Sequence, residues 1–394
     1  MTDRLYAVCD PYDHESLLTG AEREVLGSLR RVLDEQAHPL LAEHWDRAEF
    51  PTALIDPLQA LDLMTPPTLT VDGAEPRGLY HAFRTFELAR TDASLATYYT
   101  GQSGLFRTAV REGGTAEQVA RWDPEITSWQ MRGVFALTEP DHGSDVAGGL
   151  ATTATRTGDT WVLDGAKRWI GTATLAEYLA VFARDTADGQ VKGFLVRTDA
   201  PGVQMDVIPN KIALRMVQNA HITLTGVEVT EEFRLQDCNS FKDVGRMLRR
   251  MRSDVAWIAA GVQAGAYEAA LRYTTERTQF GRPVAGFQLV QEKLARILGN
   301  VTGCLGLLTR LSVQQDAGVY RDEDSALAKS WCAARMRESV ALAREVCGGN
   351  GITLDTDVAR FFADAEAIYS YEGTHEINSL IVGRAITGLS AFTH

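Results

Sequence analysis

The chain is poor in cysteine. Five occur among 394 residues: Cys9, Cys238, Cys304, Cys332 and Cys347. They are scattered, odd in number and form no CxxC pair, so neither a disulfide framework nor a cysteine-rich zinc site is expected. No HExxH run occurs either. Scattered thiols of this kind read as buried free cysteines of a reducing compartment, and the expected location is cytoplasmic. Positive charge is also short: 39 Lys and Arg stand against 52 Asp and Glu, a formal net charge of −13. That balance argues against nucleic acid or an anionic membrane as a partner reached by bulk electrostatics. Long apolar runs are missing, and none nears the ~18 residues a membrane-spanning helix needs. Met1–Tyr12 carries charge throughout with no apolar core, so no signal peptide is expected. The ending Phe392-Thr393-His394 is not a peroxisomal tripeptide. No internal repeat and no low-complexity tract is found.

What is present suffices for a large core. Hydrophobic residues make up 45% of the chain, and the length suits two or three domains or one multi-layer unit. Val25, Leu26, Leu29, Val32 and Leu33 recur at helical spacing, and Pro39 is expected to end or bend that helix. A second helix is expected from Leu79 to Tyr99, with Phe83, Phe86, Leu88 and Leu95 in the core. Near Val134 the period changes. Short β-rich runs follow at Ala151–Arg156, Trp161–Leu163, Leu179–Ala183, Gly193–Val196 and His221–Val229, separated by turn signals such as Asp164-Gly165 and Pro201-Gly202. They predict a sandwich or barrel of about 100 residues. From Phe241 the helical period returns, with candidate helices Val244–Arg277, Val284–Gly318, Glu323–Cys347 and His375–Leu389, long enough for a bundle. The expected domains are residues 1–133 (helical), 134–240 (β) and 241–394 (helical bundle).

The densest chemistry lies in Tyr371-Glu372-Gly373-Thr374-His375-Glu376-Ile377. Gly373 permits close backbone approach to a ligand, and Thr374 can cap the following helix or donate to a ligand. Glu372, if desolvated, becomes a usable general base. Burial raises its pKa and the adjacent helix N-terminus lowers it, and the sequence leaves the balance open. A helix start with a charged first turn is the plainer alternative. Other motifs are spread along the chain: Thr138-Glu139-Pro140-Asp141-His142-Gly143-Ser144-Asp145, then Lys167-Arg168-Trp169-Ile170. Arg277-Thr278-Gln279-Phe280-Gly281-Arg282-Pro283 follows, with Phe287-Gln288, and last Cys347-Gly348-Gly349-Asn350-Gly351. Arg246, Arg249, Arg250 and Arg252 form a basic cluster, either a solvated helix face or a site for a ligand's phosphate.

These segments, in this order, resemble the acyl-CoA dehydrogenase family of flavoproteins over nearly the whole chain, most weakly in the first 75 residues. The ending from Glu372 to Phe392 looks most like the glutaryl-CoA dehydrogenase branch. The run Asn210–Asn219 and the Trp169-Ile170-Gly171 variant look like the short-chain acyl-CoA oxidases of that branch. The resemblance implies a mostly α fold with a central β-domain: an N-terminal helical domain, a middle β-barrel or sandwich and a C-terminal four-helix bundle. It implies α,β-dehydrogenation of an acyl thioester, with FAD as hydride acceptor and Glu372 as α-proton base.

The resemblance assigns the remaining residues too. Backbone from Phe135, Leu137 and Thr138 would lie against the isoalloxazine, with Trp169, Ile170 and Gly171 beside it and Gly143 and Ser144 near the pyrophosphate and the CoA entrance. Arg277, Phe280 and Gln288 would meet the FAD diphosphate region, Arg277 by its guanidinium. Glu345, Gly348 and Gly349 would reach the adenosine of a neighbouring subunit's FAD, and Thr374 and Glu376 would approach the flavin and its ribitol or ADP part. The Glu372 N–H would donate to the thioester carbonyl. Tyr371, Gly373, Ser144, Arg252, Ala96 and Thr100 would contact substrate. A cofactor held by two chains implies a homo-oligomer, a tetramer built as a dimer of dimers. The substrate would be carried by CoA or an acyl-carrier protein, and the electron acceptor would be an electron-transfer flavoprotein or O₂.

Two positions depart from the family. Ala96 and Thr100 stand where glutaryl-CoA dehydrogenases hold the distal carboxylate with arginine and serine, which speaks for an uncharged acyl chain. Gly171 replaces the usual threonine, opening space near the flavin's reactive edge and easing oxygen access. The competing readings are therefore a dehydrogenase, an oxidase, a flavin monooxygenase relative (disfavoured by Glu372) and an inactive binding scaffold.

Overall fold

The computed structural model describes residues 4–70 and 73–392. Met1–Asp3 and Thr393–His394, on which the signal-peptide and terminal-tripeptide expectations partly rest, lie outside the described residues. The chain divides into two compact units. One comprises residues 1–96, 212–216 and 252–394, the other residues 97–211 and 217–251. All five cysteines are buried free thiols. No helix among the described residues is long and apolar enough to cross a membrane.

In the first unit, helix Gly20–Val32 opens with a capping box. Thr19 Oγ1 accepts from the Glu22 N–H at 3.2 Å and Glu22 Oε2 accepts from the Thr19 N–H at 2.7 Å. Leu26, Leu29 and Leu33 are buried, as their spacing predicts. Pro39 does not end this helix. A π turn, Leu33–Ala37, comes first, with the His38 N–H donating back to Leu33 O, and the backbone runs on helically through Pro39 into His38–Arg47.

The single helix expected over Leu79–Tyr99 is two, Gly78–Thr91 and Ala93–Thr100. Asp92 breaks it with an extended backbone (φ −163°, ψ 136°). Its Oδ1 accepts from the Ser94 and Leu95 N–H groups at 2.8 and 3.2 Å, capping the second helix. Its other oxygen accepts from the buried Arg360 guanidinium. Phe83, Phe86, Leu88 and Leu95 are all core residues.

The four predicted C-terminal helices occur as Phe241–Glu276, Gln288–Asp316, Asp322–Val346 and His375–Thr387. A further helix, Val358–Ser370, buries Val358, Phe361, Ala365 and Ile368. Between the first two lies a hairpin, Thr278–Gln279 against Arg282–Pro283. Both of its turn residues have positive φ, Phe280 at 51° and Gly281 at 75°, the two-residue turn that matches strand twist.

The second unit is built on one eight-stranded sheet. Its strands run Val203–Val207, Ala220–Thr230, Thr160–Ile170, Thr153–Thr157, Tyr178–Asp185, Val191–Arg197 and Arg234–Leu235, with Gly133–Ala136 paired parallel to Tyr178–Asp185. Four of the five predicted β runs fall within these strands, and Ala151–Arg156 overlaps Thr153–Thr157 but starts two residues early. Val203–Val207 was not anticipated, although Val203, Met205 and Val207 alternate with polar residues; it is a short, mostly exposed strand at the sheet edge. Trp161, Leu163, Phe194 and Ile222 centre the apolar face.

Candidate active site

Helix Val358–Ser370 ends at Tyr371 and helix His375–Thr387 begins after Thr374, so Glu372 and Gly373 form the whole turn between them. Both are left-handed, with φ of 50° and 84°. For glutamate that conformation costs about 1–2 kcal/mol, so the turn must be held from outside. Lys329 Nζ donates to Tyr369 O at 2.7 Å and to Gly373 O at 3.0 Å. Asn378 Nδ2 donates to Gly373 O at 2.8 Å and Thr374 O at 3.0 Å. Thr374 is the cap that its position predicts, with Oγ1 accepting from the Ile377 N–H at 3.3 Å.

Glu372 is partly buried as a residue, and its Oε2 is fully buried with no hydrogen-bond partner. The competition that the sequence left open is decided by burial, which pushes the carboxyl up to about 8. Asp254 pushes in the same direction, while Arg252 and Lys329 oppose. Asp254 is itself raised to about 6 by burial, against Arg84. A proton acceptor with an orphaned oxygen and a pKa near neutrality is what proton abstraction from a carbon acid requires. Glu376, in the first turn of its helix, is exposed.

Three further groups belong to this unit. Arg277 and Gln288 are exposed on either side of the hairpin, and Phe280 at its tip is 93% exposed. Phe280 meets Phe287 edge-on at 6.0 Å, and Arg282 lies over the Phe287 ring at 4.1 Å. Gly348, at φ 59°, ends helix Asp322–Val346 in the left-handed cap that its glycine predicts. Gly349 and Glu345 are exposed, Glu345 beside Lys293 at 3.3 Å. Asn350 Nδ2 donates to the Tyr273 hydroxyl at 2.8 Å, tying this turn to the end of helix Phe241–Glu276.

In the second unit, strand Gly133–Ala136 carries Phe135 and runs into Leu137 and Thr138. Thr138 O accepts from the Arg168 N–H at 2.8 Å, which brings Thr138 beside Trp169. Pairing with Ala220–Thr230 is irregular between Lys167 and Ile170, a bulge that re-aims Trp169. Trp169 has φ 65° and is 52% exposed, so it is no core tryptophan. Arg168 stacks over it at 5.3 Å, and Asn219 Nδ2 donates to its carbonyl at 3.1 Å. Ile170 is buried. Gly143 and Ser144 are exposed in the turn that His142 and Asp145 close with a 2.9 Å contact.

Two expectations need correction. The space expected at Gly171 is largely taken, because a Cβ there would lie 3.1 Å from Val217 Cγ1 and 3.6 Å from Asn219 Nδ2. The arginine cluster is not one phosphate site. Arg246 and Arg250 both pair with Glu112, at 3.2 and 2.7 Å, as a solvated helix face does. Arg252 lies 3.8 Å from Asp322 and contributes its charge at Glu372. Ala96 and Thr100 are both buried, four residues apart on helix Ala93–Thr100.

Lys329, Asn378 and Asp254 were not singled out in the sequence. Lys329 had a signal: it interrupts the buried stripe Ser325, Ala328, Cys332, Met336, where lysine is rare without partners. The same signal marks Lys167, fully buried within a strand. Within its own unit the orphaned Glu372 oxygen suits a proton-abstracting base, and in the other unit the exposed Trp169 face suits stacking against a planar group.

Comparison with known proteins gives three successive matches: the acyl-CoA dehydrogenase N-terminal domain over residues 19–130, the middle domain over 134–227 and the C-terminal domain over 241–387. Short-chain specific acyl-CoA dehydrogenase from Bos taurus mitochondria is 29% identical over 90% of this chain and 87% of its own. Caffeyl-CoA reductase-Etf complex subunit CarC of Acetobacterium woodii is 27% identical over 87% of this chain and 92% of its own. Among solved structures, glutaryl-CoA dehydrogenase from Mycobacterium smegmatis is 34% identical with a TM-score of 0.89, covering 96% of this chain and 97% of that one. A glutaryl-CoA dehydrogenase from the same organism in complex with FADH2 is 28% identical with a TM-score of 0.91, covering 98% of this chain and 100% of that one.

Proposed function

The chain belongs to the acyl-CoA dehydrogenase family and takes FAD, and on that premise we propose that it oxidises a short-chain acyl thioester to the trans-2-enoyl thioester with Glu372 as the α-proton base. The observation that carries this reading is the buried, unpartnered Glu372 Oε2 on a carboxyl raised to about 8. Bound FAD supplies the hydride acceptor for the β-carbon, which no side chain offers. The chain's own residues do the rest. The Glu372 N–H donates to the thioester carbonyl and makes the α-proton more acidic. Tyr371, Gly373, Ser144 and Arg252 line the thioester's path. Phe135, Leu137, Thr138, Gly143, Trp169, Ile170 and Gly171 would face the flavin, and Thr374 and Glu376 would approach it. Arg277, Phe280, Gln288, Glu345, Gly348 and Gly349 would hold the dinucleotide.

The acyl chain is short and uncharged: Ala96 and Thr100 offer no cation, and the Bos taurus relative is named for short chains. The electron acceptor is an electron-transfer flavoprotein, supported by the name of the Acetobacterium woodii relative. Use of O₂ is the second reading, resting on the likeness of the Trp169-Ile170-Gly171 variant to short-chain acyl-CoA oxidases rather than on open space at Gly171. The chain works as a homo-oligomer, a dimer of dimers, supported by the exposed Phe280, Leu289, Ile352, Ile386 and Leu389. The test is anaerobic and aerobic bleaching of the yellow holoenzyme by butyryl-CoA and other acyl thioesters. Bleaching without air and slow recovery in air are expected. Protein that folds but cannot be reconstituted with FAD, or that no acyl thioester bleaches, refutes the proposal.

A further inference from the structure

We infer that Lys329 is a positioning residue for proton abstraction: its ammonium fastens the backbone on both sides of Glu372 and supplies positive charge to that carboxylate. The inference rests on the reading of Glu372 as the base, and its residues belong to one compact unit.

Lys329 lies near the end of the second turn of helix Asp322–Val346 and is 0% exposed. An ammonium moved out of water needs compensating acceptors. It finds Tyr369 O and Gly373 O, two backbone carbonyls, rather than a carboxylate. Tyr369 O is one of the carbonyls left without an intrahelical partner in the last turn of helix Val358–Ser370, where positive charge is favourable. Gly373 O follows Glu372 directly. The two bonds therefore span Ser370 to Glu372 and close a loop around the base.

Fixing these carbonyls matters because Glu372 occupies a backbone region that non-glycine residues rarely adopt. Asn378 holds the Gly373 carbonyl from the following helix but does not touch Tyr369. Of the two, only the Lys329 side chain bonds both ends of the turn, and only it carries charge. Without it, the turn has no anchor to helix Asp322–Val346 through Gly373 O, and the direction of the Glu372 N–H and carboxylate loosens together.

The charge has a second effect. Asp254 and Arg252, both on helix Phe241–Glu276, and Lys329 are the charged groups acting on Glu372, while His375 and Glu376 follow it in its own segment. Lys329 and Arg252 favour the ionised carboxylate, and burial and Asp254 oppose it. Burial also lowers the Lys329 ammonium to about 8, against the pull of Glu372 and Glu376. Removing the cation leaves Glu372 protonated over a wider range, so the active carboxylate forms only at higher pH.

The test uses the FAD holoenzyme with Lys329→Met, with Lys329→Arg as the conservative rescue and Glu372→Gln as reference. Anaerobic flavin reduction by butyryl-CoA is followed by stopped flow across pH. Hydrogen exchange of the peptide spanning Tyr369–Glu376 is followed by mass spectrometry without substrate. Lys329→Met is expected to slow reduction at least ~10-fold near neutrality. Its pH midpoint should rise by about one unit, and the peptide should exchange several times faster. Lys329→Arg should recover the pH midpoint. If Lys329→Met does not fold, Lys329→Gln, uncharged but still a donor, decides on the same two measurements. A folded variant with wild-type pH midpoint and exchange overturns the inference. Glu372→Gln separates the two levels: near-normal reduction by that variant refutes the base assignment itself, whereas an inactive Glu372→Gln beside an unaltered Lys329→Met refutes only the role of Lys329.

Discussion

Lys167 Nζ lies 2.8 Å from Glu139 Oε1, and both side chains are withdrawn from solvent. The ammonium also donates to Leu137 O at 3.2 Å and Phe182 O at 2.6 Å, while Glu139 accepts from the Ala151 and Thr152 N–H groups at 2.6 and 2.9 Å. Every donor of the lysine is used. Burial lowers Lys167 to about 8 against the pull of Glu139. Burial pushes Glu139 the other way, but Lys167 and the two N–H groups outweigh it and hold it below its ordinary value. The pair fixes the Leu137–Glu139 loop to strands Thr160–Ile170 and Tyr178–Asp185. Lys329 does the corresponding work at Glu372, in the other unit.

Breaking that pair from one side strands the other charge. Glu139→Ala is expected to destabilise the protein by about 3–5 kcal/mol and to raise the rate of flavin loss. Lys167→Met leaves Glu139 its two N–H donors and should cost less. Urea unfolding of both variants checks the order. Equal, small losses would show that the loop is held by other contacts.

Glu372→Gln should retain FAD and slow its reduction by butyryl-CoA at least ~10²-fold, the lower scale of general-base effects. In the wild type the same rate should climb with pH through about 8, because the base must lose a proton that burial makes it keep. A flat profile between pH 6 and pH 9, at roughly constant flavin content, would contradict the burial of the working carboxylate.

Acid stability has a different source. Burial would raise the Glu87 carboxyl, but Arg90 and Arg30 overcome it and bring it down to about 2. The folded value lies below the unfolded one, so the stabilisation is present above about pH 4.5 and is lost as pH falls toward 2. The full difference corresponds to about 3 kcal/mol. Glu87→Gln should flatten the acid limb of stability against pH, measured by thermal melting between pH 6 and pH 3. An unchanged limb would assign acid sensitivity to other carboxylates.

Glutaryl-CoA should be a poor substrate beside butyryl-CoA. Ala96 is buried and apolar, and a carboxylate brought there without a cation loses several kcal/mol in order of magnitude. A kcat/KM ratio of at least ~10² in favour of butyryl-CoA is expected. Comparable values would reveal a cation supplied by another residue.

Gly171→Thr tests oxygen reactivity. Its Cβ meets Val217 Cγ1 at 3.1 Å, so the variant should lose about 1–3 kcal/mol of stability, which Val217→Ala partly restores. Reoxidation of reduced enzyme in air-saturated buffer should be slower in the double variant than in the wild type, with anaerobic reduction preserved. Identical reoxidation would remove the support that Gly171 lends to the oxidase reading.

Much of this protein was legible in its residue order. The short apolar runs Leu179–Ala183 and Gly193–Val196 and period 3.6 in the C-terminal helices follow from what must be buried, a local property of the chain. Thr374 as a cap and Gly348 as a left-handed helix end were legible for the same reason, since each acts on atoms within a few residues. The order of the Glu372, Trp169, Arg277 and Gly348 motifs sufficed for the family. Tertiary structure alone decided the rest. Asp92 broke a helix that periodicity made continuous, because its carboxylate caps one neighbour while answering Arg360, 268 residues away in sequence. The space at Gly171 was closed by Val217, and Arg252 was parted from Arg246 and Arg250 by the groups that face each of them. Glu372 carries a raised pKa because burial and Asp254 outweigh Arg252 and Lys329. Desolvation and charge depend on distance through space, and no spacing along the chain sets that distance.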